Sequence, residues 1–258
     1  MTTEPHEPRP MATATFTIEN EQFRLQAQVA VPSGPIRPIE LLPLARALSD
    51  QVVSQTCRNV EASGQRISCR AGCGACCRNL VAISEVEARR ISEVVTELPE
   101  PRQSEIRRRF AEARHQLDQT GLLQLLQDPD QLTDDDYARL CEVYFRQNVD
   151  CPFLEDGACS IYAERPITCR EFLVTSPPEY CARPGSEGVE RVTLPLTVFH
   201  AVARWQVPPS AHFLERWVPL ILAPEWAAQH PDTSPPRPGI ELLQDLLAQF
   251  NAGDTKSD

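Results

Sequence analysis

Ten cysteines stand in a chain of 258 residues, and eight of them fall in two short stretches. No other feature constrains the chain so tightly, because closely spaced thiols have few uses. The first stretch is Cys69-Arg-Ala-Gly-Cys73-Gly-Ala-Cys76-Cys77; the second spreads over Cys151, Cys159, Cys169 and Cys181. Where glutathione and thioredoxin keep thiols reduced, a disulfide framework explains such stretches poorly, and metal binding or redox chemistry explains them better. The reducing compartment is itself an expectation. Met1 to Pro10 is polar and proline-rich without the apolar core of a secretory signal. No apolar run approaches the eighteen or so residues that a membrane helix needs. A cytoplasmic location is expected on these grounds.

A Cys-x-x-Cys turn such as Cys73 to Cys76 lets two sulfurs converge on one cation. Gly72 and Gly74 permit the unusual dihedrals that such a turn requires. Adjacent side chains diverge, so Cys76 and Cys77 are expected either to serve different metals or to divide into a ligand and a group behind it. Four upstream thiols complement four downstream ones. The total suits two four-cysteine sites, or one cluster plus one ion, with zinc and iron–sulfur both open.

Charge is a separate line of argument. Four thiolates around Zn²⁺ or a [4Fe–4S]²⁺ core leave about −2 per site. Arg66, Arg70, Arg78, Arg165, Arg170 and Arg183 lie within a few residues of a cysteine and would offset that charge. The chain as a whole carries −11, which makes nucleic acid and anionic membrane poor general partners. Arg107, Arg108 and Arg109 are expected on a solvated helix face.

Periodicity outlines the fold. Alternating apolar positions from Thr13 to Val31, on both sides of Glu19-Asn20-Glu21, predict a β-hairpin. A linker follows at Pro32–Pro38, then a helix from Ile39 to about Glu61 with Leu41, Leu44, Ala45, Leu48 and Val52 as its stripe. Ser84 and Glu87 form a capping box for a second helix that Pro99 and Pro101 end. A third begins near Arg102 and breaks at Gly121, and Thr133 and Asp136 cap a fourth. Leu194 to Trp205 is expected to be helical, Pro208 to Pro224 mixed loop and short helix, and Ser234 to Pro238 a linker before a last helix, Ile240 to Phe250. The tail from Asn251 to Asp258 is expected to fray. The expected class is mainly α, an irregular helical domain with two cysteine-rich metal-binding loops and a small N-terminal β-hairpin. Its divisions are 1–38, 39–232 and 233–258.

Several residues have plainer explanations than chemistry. Cys57 and Cys141 fall on helices and are expected to be small core residues. His6, His115, His200, His212 and His230 are scattered, and His200 lies among apolar neighbours that suggest a core position. Asp134, Asp135 and Asp136 complement a helix N-terminus. Trp205, Trp217 and Trp226 are expected in the core, while Tyr162, Arg165 and Arg170 stand behind the ligands or pack.

The residues Cys73-Gly74-x-Cys76-Cys77, then Cys151-Pro152-Phe153-Leu154, Gly157-x-Cys159-Ser160-Ile161-Tyr162, Arg165-Pro166 and Cys169-Arg170 form a long and specific pattern. It resembles the YkgJ-type cysteine-cluster family, which is described as zinc- or iron-chelating and is similar to a bacterial lysine N-methylase acting on flagellin. The resemblance runs from about Cys69 to Cys181 and implies metal binding by Cys69, Cys73, Cys76, Cys77, Cys151, Cys159, Cys169 and Cys181. Three residues separate Cys69 from Cys73 where two are common, and Cys181 matches a more loosely spaced family cysteine.

Three functions compete. A metal-binding protein with a structural, electron-transferring or metal-handling site accounts for all eight cysteines. A methyltransferase-like or S-adenosylmethionine-dependent enzyme is the alternative, because Cys69-x₃-Cys73-x₂-Cys76 has the spacing of the radical S-adenosylmethionine motif. Against it, Ala75 replaces the usual aromatic residue, no strand–helix alternation suggests a barrel, and no glycine-rich strand-to-helix loop is present. A thiol-redox sensor would need accessible, acidic thiols.

Overall fold

A computed structural model describes residues 9–21, 23–127, 134–183, 188–205 and 217–251. In chain order the elements begin with strands β1 (Met11–Glu19), β2 (Arg24–Pro32) and β3 (Pro35–Ile36), helix α1 (Leu42–Ala62) and strand β4 (Ala82–Ile83). Helices α2 (Glu85–Glu97), α3 (Arg102–Gln119), α4 (Leu122–Gln127) and α5 (Asp134–Arg146) come next. The second cysteine region supplies β5 (Leu154–Glu155), β6 (Ala158–Cys159), α6 (Ile167–Glu171) and α7 (Pro178–Cys181). The chain then forms α8 (Val198–Arg204), β7 (Val218–Pro219), α9 (Ala223–Gln229), β8 (Arg237–Pro238) and α10 (Gly239–Asn251). The expected class holds: the chain is mainly helical with a small N-terminal antiparallel hairpin.

Strands β1 and β2 pair with Phe16 opposite Ala27 and Ile18 opposite Leu25. Their apolar side chains face inward while the intervening threonines and glutamines stay exposed. An isolated hairpin is marginal in water; this one packs on α10 and joins the larger core, with Ile18 and Phe23 buried. The segments expected as two linkers turn out to be partners. Pro35–Ile36 pairs antiparallel with Arg237–Pro238, and prolines are tolerated there because a two-stranded ladder is all edge.

Most helices begin and end where local chemistry dictates. The Ser84 side chain accepts from the Glu87 backbone N–H, and the Glu87 carboxylate accepts from the Ser84 backbone N–H, the predicted capping box. On α3, Ile106, Phe110, Ala113 and Leu117 are all buried, and Gly121, with φ of +74°, ends the element. The helix expected from Leu194 starts only at Val198. Pro195 disfavours helical dihedrals at Leu194, and the buried Glu171 carboxylate accepts from the N–H groups of Val198 (2.8 Å) and Phe199 (3.2 Å), setting the first turn there. Burial pushes the Glu171 carboxyl up to about 7 in spite of these donors. Thr133, the tail beyond Asn251, His6, His212 and most of Pro208–Pro224 lie outside the described residues.

Two apolar clusters form the interior. The larger joins the hairpin, α1, α4, α5, α8 and α10; the smaller gathers β4, α2, α3, Phe153, Ile161 and Leu220. Cys141 packs on the first, and Trp205 and Trp217 lie within it, as expected. Trp226 is half-buried at the edge of the second, with Arg89 over its ring and His230 stacked at 4.5 Å. His200 corrects its expectation: it is exposed on α8, its ring tilted beside that of the buried Phe199 at 5.6 Å, while Val202 is buried in the core. Among the described residues no helix is long and apolar enough to cross a membrane.

One buried carboxylate ties the parts that carry cysteines to the rest. Glu87, with no exposed surface, caps α2 through Ser84 and also accepts the Ile167 backbone N–H at 2.7 Å. It therefore fixes the start of α6 against the start of α2. Removing an acceptor from buried donors costs about 1–3 kcal/mol per orphaned group. Glu87→Ala is expected to lower stability by about 2–4 kcal/mol, with Glu87→Gln losing clearly less because an amide oxygen still serves one donor. Denaturant unfolding of both variants measures this, and equal losses would contradict it.

Candidate metal centre

The first cysteine loop is a series of tight turns. Cys73 N–H donates to the Arg70 carbonyl (3.1 Å), Cys77 N–H to Gly74 (3.0 Å) and Asn79 N–H to Cys76 (3.0 Å). Gly72 supplies a φ of +84°, the left-handed conformation expected of it. Gly74 serves a different purpose from the one expected. Its φ is ordinary, but a Cβ there would lie 2.5 Å from the Gly157 carbonyl oxygen and 2.5 Å from the Leu154 side chain. The absence of a side chain lets the first loop press against the β5–β6 hairpin.

That hairpin carries Cys159 and is preceded by Cys151. Asp156 and Gly157, with φ of +49° and +77°, form its two-residue turn. An Asp-Gly pair between short extended segments is the sequence signal for this turn, and it was available in the sequence. Cys151 N–H donates to the Cys77 carbonyl at 2.8 Å, a direct backbone link between the two cysteine regions. From the far side, α3 holds the hairpin: Phe110 meets Phe153 edge-on at 5.5 Å, and Arg109 pairs with Glu155 at 2.8 Å. Arg102 pairs with the same carboxylate. The expectation of a solvated arginine face therefore fits Arg107 and Arg108 but not Arg109, which is half-buried.

Cys169 rides on α6, which is tied down on several sides. Glu87 takes its first N–H, Thr168 donates to the Ala82 carbonyl at 2.6 Å, and Arg170 pairs with Asp50 of α1 at 2.8 Å. Arg170 also donates to the carbonyls of Ala163 and Arg165. Cys181 ends α7 and is buried. Cys69 runs beside the Phe172–Val174 segment, its neighbour Ser68 donating to Val174 at 2.9 Å and its own thiol to the Phe172 carbonyl at 3.6 Å.

Among the eight cysteines, the clearest juxtaposition joins three of the first stretch to one of the second. Cys69, Cys73, Cys76 and Cys181 line one cavity of about 20 Å³, walled otherwise by Ala75, Phe172, Val174 and Pro178. Cys151 and Cys159 pack against the smaller apolar cluster. Cys57, expected in the core, is half-buried and lies near Cys69 instead.

Burial governs the thiols. It pushes Cys151 up to about 12 and Cys181 up to about 11, and raises Cys69, Cys159 and Cys169 as well. Cys76 is raised first by its hydrogen bond with Cys77 and then by burial. Such thiols stay protonated at neutral pH unless a cation replaces the proton, which disfavours a free acidic-thiol sensor. Among the described residues no three His, Cys, Asp or Glu side chains stand ready to hold an ion. Protonated sulfurs have no cause to converge; the cation that displaces their protons supplies the attraction.

Four of the six arginines near the cysteines have partners that show where their charge goes. Arg78 pairs with Asp150, Arg170 with Asp50, and Arg183 lies over Tyr180. Arg165 instead lies over the Tyr162 ring at 4.1 Å, and its charge stabilises the thiolate forms of Cys69, Cys76 and Cys159. Its Nε is buried without a hydrogen-bond partner. An unpaired cationic N–H beside converging thiols suits an anionic metal–thiolate site.

Comparison with known proteins agrees with this chemistry. Residues 68–185 match the model of the CxxCxxCC family, described as "Putative zinc- or iron-chelating domain". The resemblance drawn from the cysteine pattern is borne out over that segment. No curated protein and no solved structure matches the chain.

The Gly74 contact makes a prediction. Because the opposing atom is a backbone oxygen that has little freedom to retreat, Gly74→Ala is expected to cost about 1–3 kcal/mol by overpacking. It should also separate the two loops, so that metal content per chain falls, as elemental analysis would register. Gly64→Ala, at a position with open space around it, is the control for backbone strain alone.

Proposed function

We propose that the protein binds zinc through its clustered cysteines in closed, all-thiolate sites that stabilise the domain. The observation that carries this is the cavity of about 20 Å³ walled by Cys69, Cys73, Cys76 and Cys181. That volume suits a single atom-sized occupant, and four sulfurs fill the tetrahedral shell of one Zn²⁺ with no position left for substrate. A [4Fe–4S] core would have to enlarge it. Zinc would supply charge neutralisation for the thiolates and a cross-link between chain segments far apart in sequence. Arg165 would offset the remaining negative charge, and Gly74, Glu87 and α3 would hold the two loops in register for it.

The decisive experiment is purification without oxygen, followed by an ultraviolet–visible spectrum and assays for zinc, iron and acid-labile sulfide. A colourless, zinc-loaded protein is the expected result. A brown protein with iron and sulfide in equal amounts would replace this reading with an iron–sulfur, electron-transferring one.

Metal removal gives a second test. Structural zinc contributes an apparent ~10–16 kcal/mol in small zinc-finger peptides, comparable with the whole stability of a typical domain. Even a loss of about 3 kcal/mol lowers the melting temperature by roughly 6–12 °C in a chain of this size. Chelation, Cys73→Ser and Cys159→Ser are each expected to lower it at least that far. An unchanged melting temperature after complete metal removal would exclude a structural role.

A further inference from the structure

Three consecutive carbonyls in the second cysteine region are each taken by a guanidinium. Arg170 donates through Nη2 to the Ala163 carbonyl and through Nε to the Arg165 carbonyl at 3.0 Å. Between them, the Glu164 carbonyl accepts from Arg46 of α1 at 3.0 Å. The Glu164 carboxylate is held as well, by Arg46 and by Arg90 of α2 at 3.2 Å. Charged donors on three main-chain acceptors in a row clamp the backbone itself.

The clamped residues lie on the path from Cys159 to Cys169. Apolar burial anchors that path only at its ends, at Ile161 on one side and at Pro166 and Ile167 on the other. Between them Tyr162 and Ala163 are exposed, and Glu164 and Arg165 are half-buried. Side-chain packing therefore fixes little of the middle, and the guanidinium donors fix it instead. Arg46 and Arg170 are themselves buried. Asp50 of α1 accepts from Arg170 Nη1 through both carboxylate oxygens, at 2.9 and 2.8 Å. One arginine thus joins α1, the connecting segment and the residue next to Cys169. A planar fork of donors suits three acceptors in different directions, which a compact lysine ammonium does not.

We propose that Arg170 is a positioning residue for the metal site: anchored by Asp50, it holds the Cys159–Cys169 connection in its final path before metal arrives. It acts through the backbone and not as a counter-charge. This rests on the metal-binding reading above and adds to it the residue that prepares part of the ligand set. Ordering a chain segment opposes binding, and a segment ordered beforehand leaves that opposition out of the affinity.

Zinc affinity tests this on the full chain, stripped of metal, kept reduced and titrated against a chromophoric chelator. Arg170→Gln and Arg170→Lys are expected to bind zinc about 10–100-fold more weakly, the range typical when a group supporting metal ligands is lost. Full affinity in Arg170→Lys would assign the effect to charge, and full affinity in both would remove any positioning role; either result overturns the proposal. Asp50→Asn alters an exposed side chain and keeps the test open should the Arg170 variants not fold. It is expected to weaken zinc binding in the same direction, and unchanged affinity there would also overturn the proposal. Leu246→Ala, at a fully buried position of α10, destabilises the core and is expected to leave the zinc affinity of the folded chain unchanged. An equal loss in that variant would reduce the Arg170 effect to general loosening. If the unmodified chain took up no zinc, the metal-binding reading itself would fall.

Discussion

A metal site made from distant segments depends on how firmly those segments are placed before any metal arrives, and here the placement rests on one buried carboxylate. Glu87 accepts the capping N–H of α2 and the first N–H of α6 at once. A charged or polar acceptor with no exposed surface is costly to bury alone, and its donors make it stable. Because both donors are backbone groups, the link orients whole elements rather than one side chain. Cys169 follows from α6, and the Arg170 contacts with Asp50 and two carbonyls add α1 to the same frame.

The first loop has little regular structure of its own, and it borrows rigidity from what it touches. Close approach at Gly74 and the Cys77–Cys151 backbone bond lay it on the β5–β6 hairpin. The hairpin in turn is clamped by Phe110, Arg102 and Arg109 of α3. Such an arrangement explains why a region rich in turns needs so few apolar residues: order comes from the neighbours, and metal would add to it.

What the sequence made legible follows from the range of each signal. Periodicity and capping are local, so α1, α2, α3 and α10 and the hairpin were readable from the chain alone. Cys-x-x-Cys spacing and the Asp-Gly turn are local too. The pairing of Pro35–Ile36 with Arg237–Pro238 was not readable, because each partner taken alone has the composition of a linker. Nor was the start of α8, which a carboxylate from α6 determines. Gly74 illustrates the difference well: the turn around it predicts a conformational role, whereas its real constraint is the Gly157 oxygen more than eighty positions away. His200 misled for the same reason, since apolar neighbours in sequence surround a residue on the exposed side of a short helix.

The doublet Cys76-Cys77 is the place where local reasoning stops and geometry decides. From sequence, two adjacent thiols diverge and so suggest two destinations. In the fold one of them, Cys76, lines the cavity with Cys69, Cys73 and Cys181, and the other turns its carbonyl to the Cys151 N–H. Of the arginines near the cysteines, Arg78 and Arg170 are paired with carboxylates, whereas Arg165 lies over the Tyr162 ring with its Nε buried and unpartnered, so its charge is left to act on the thiols beside it.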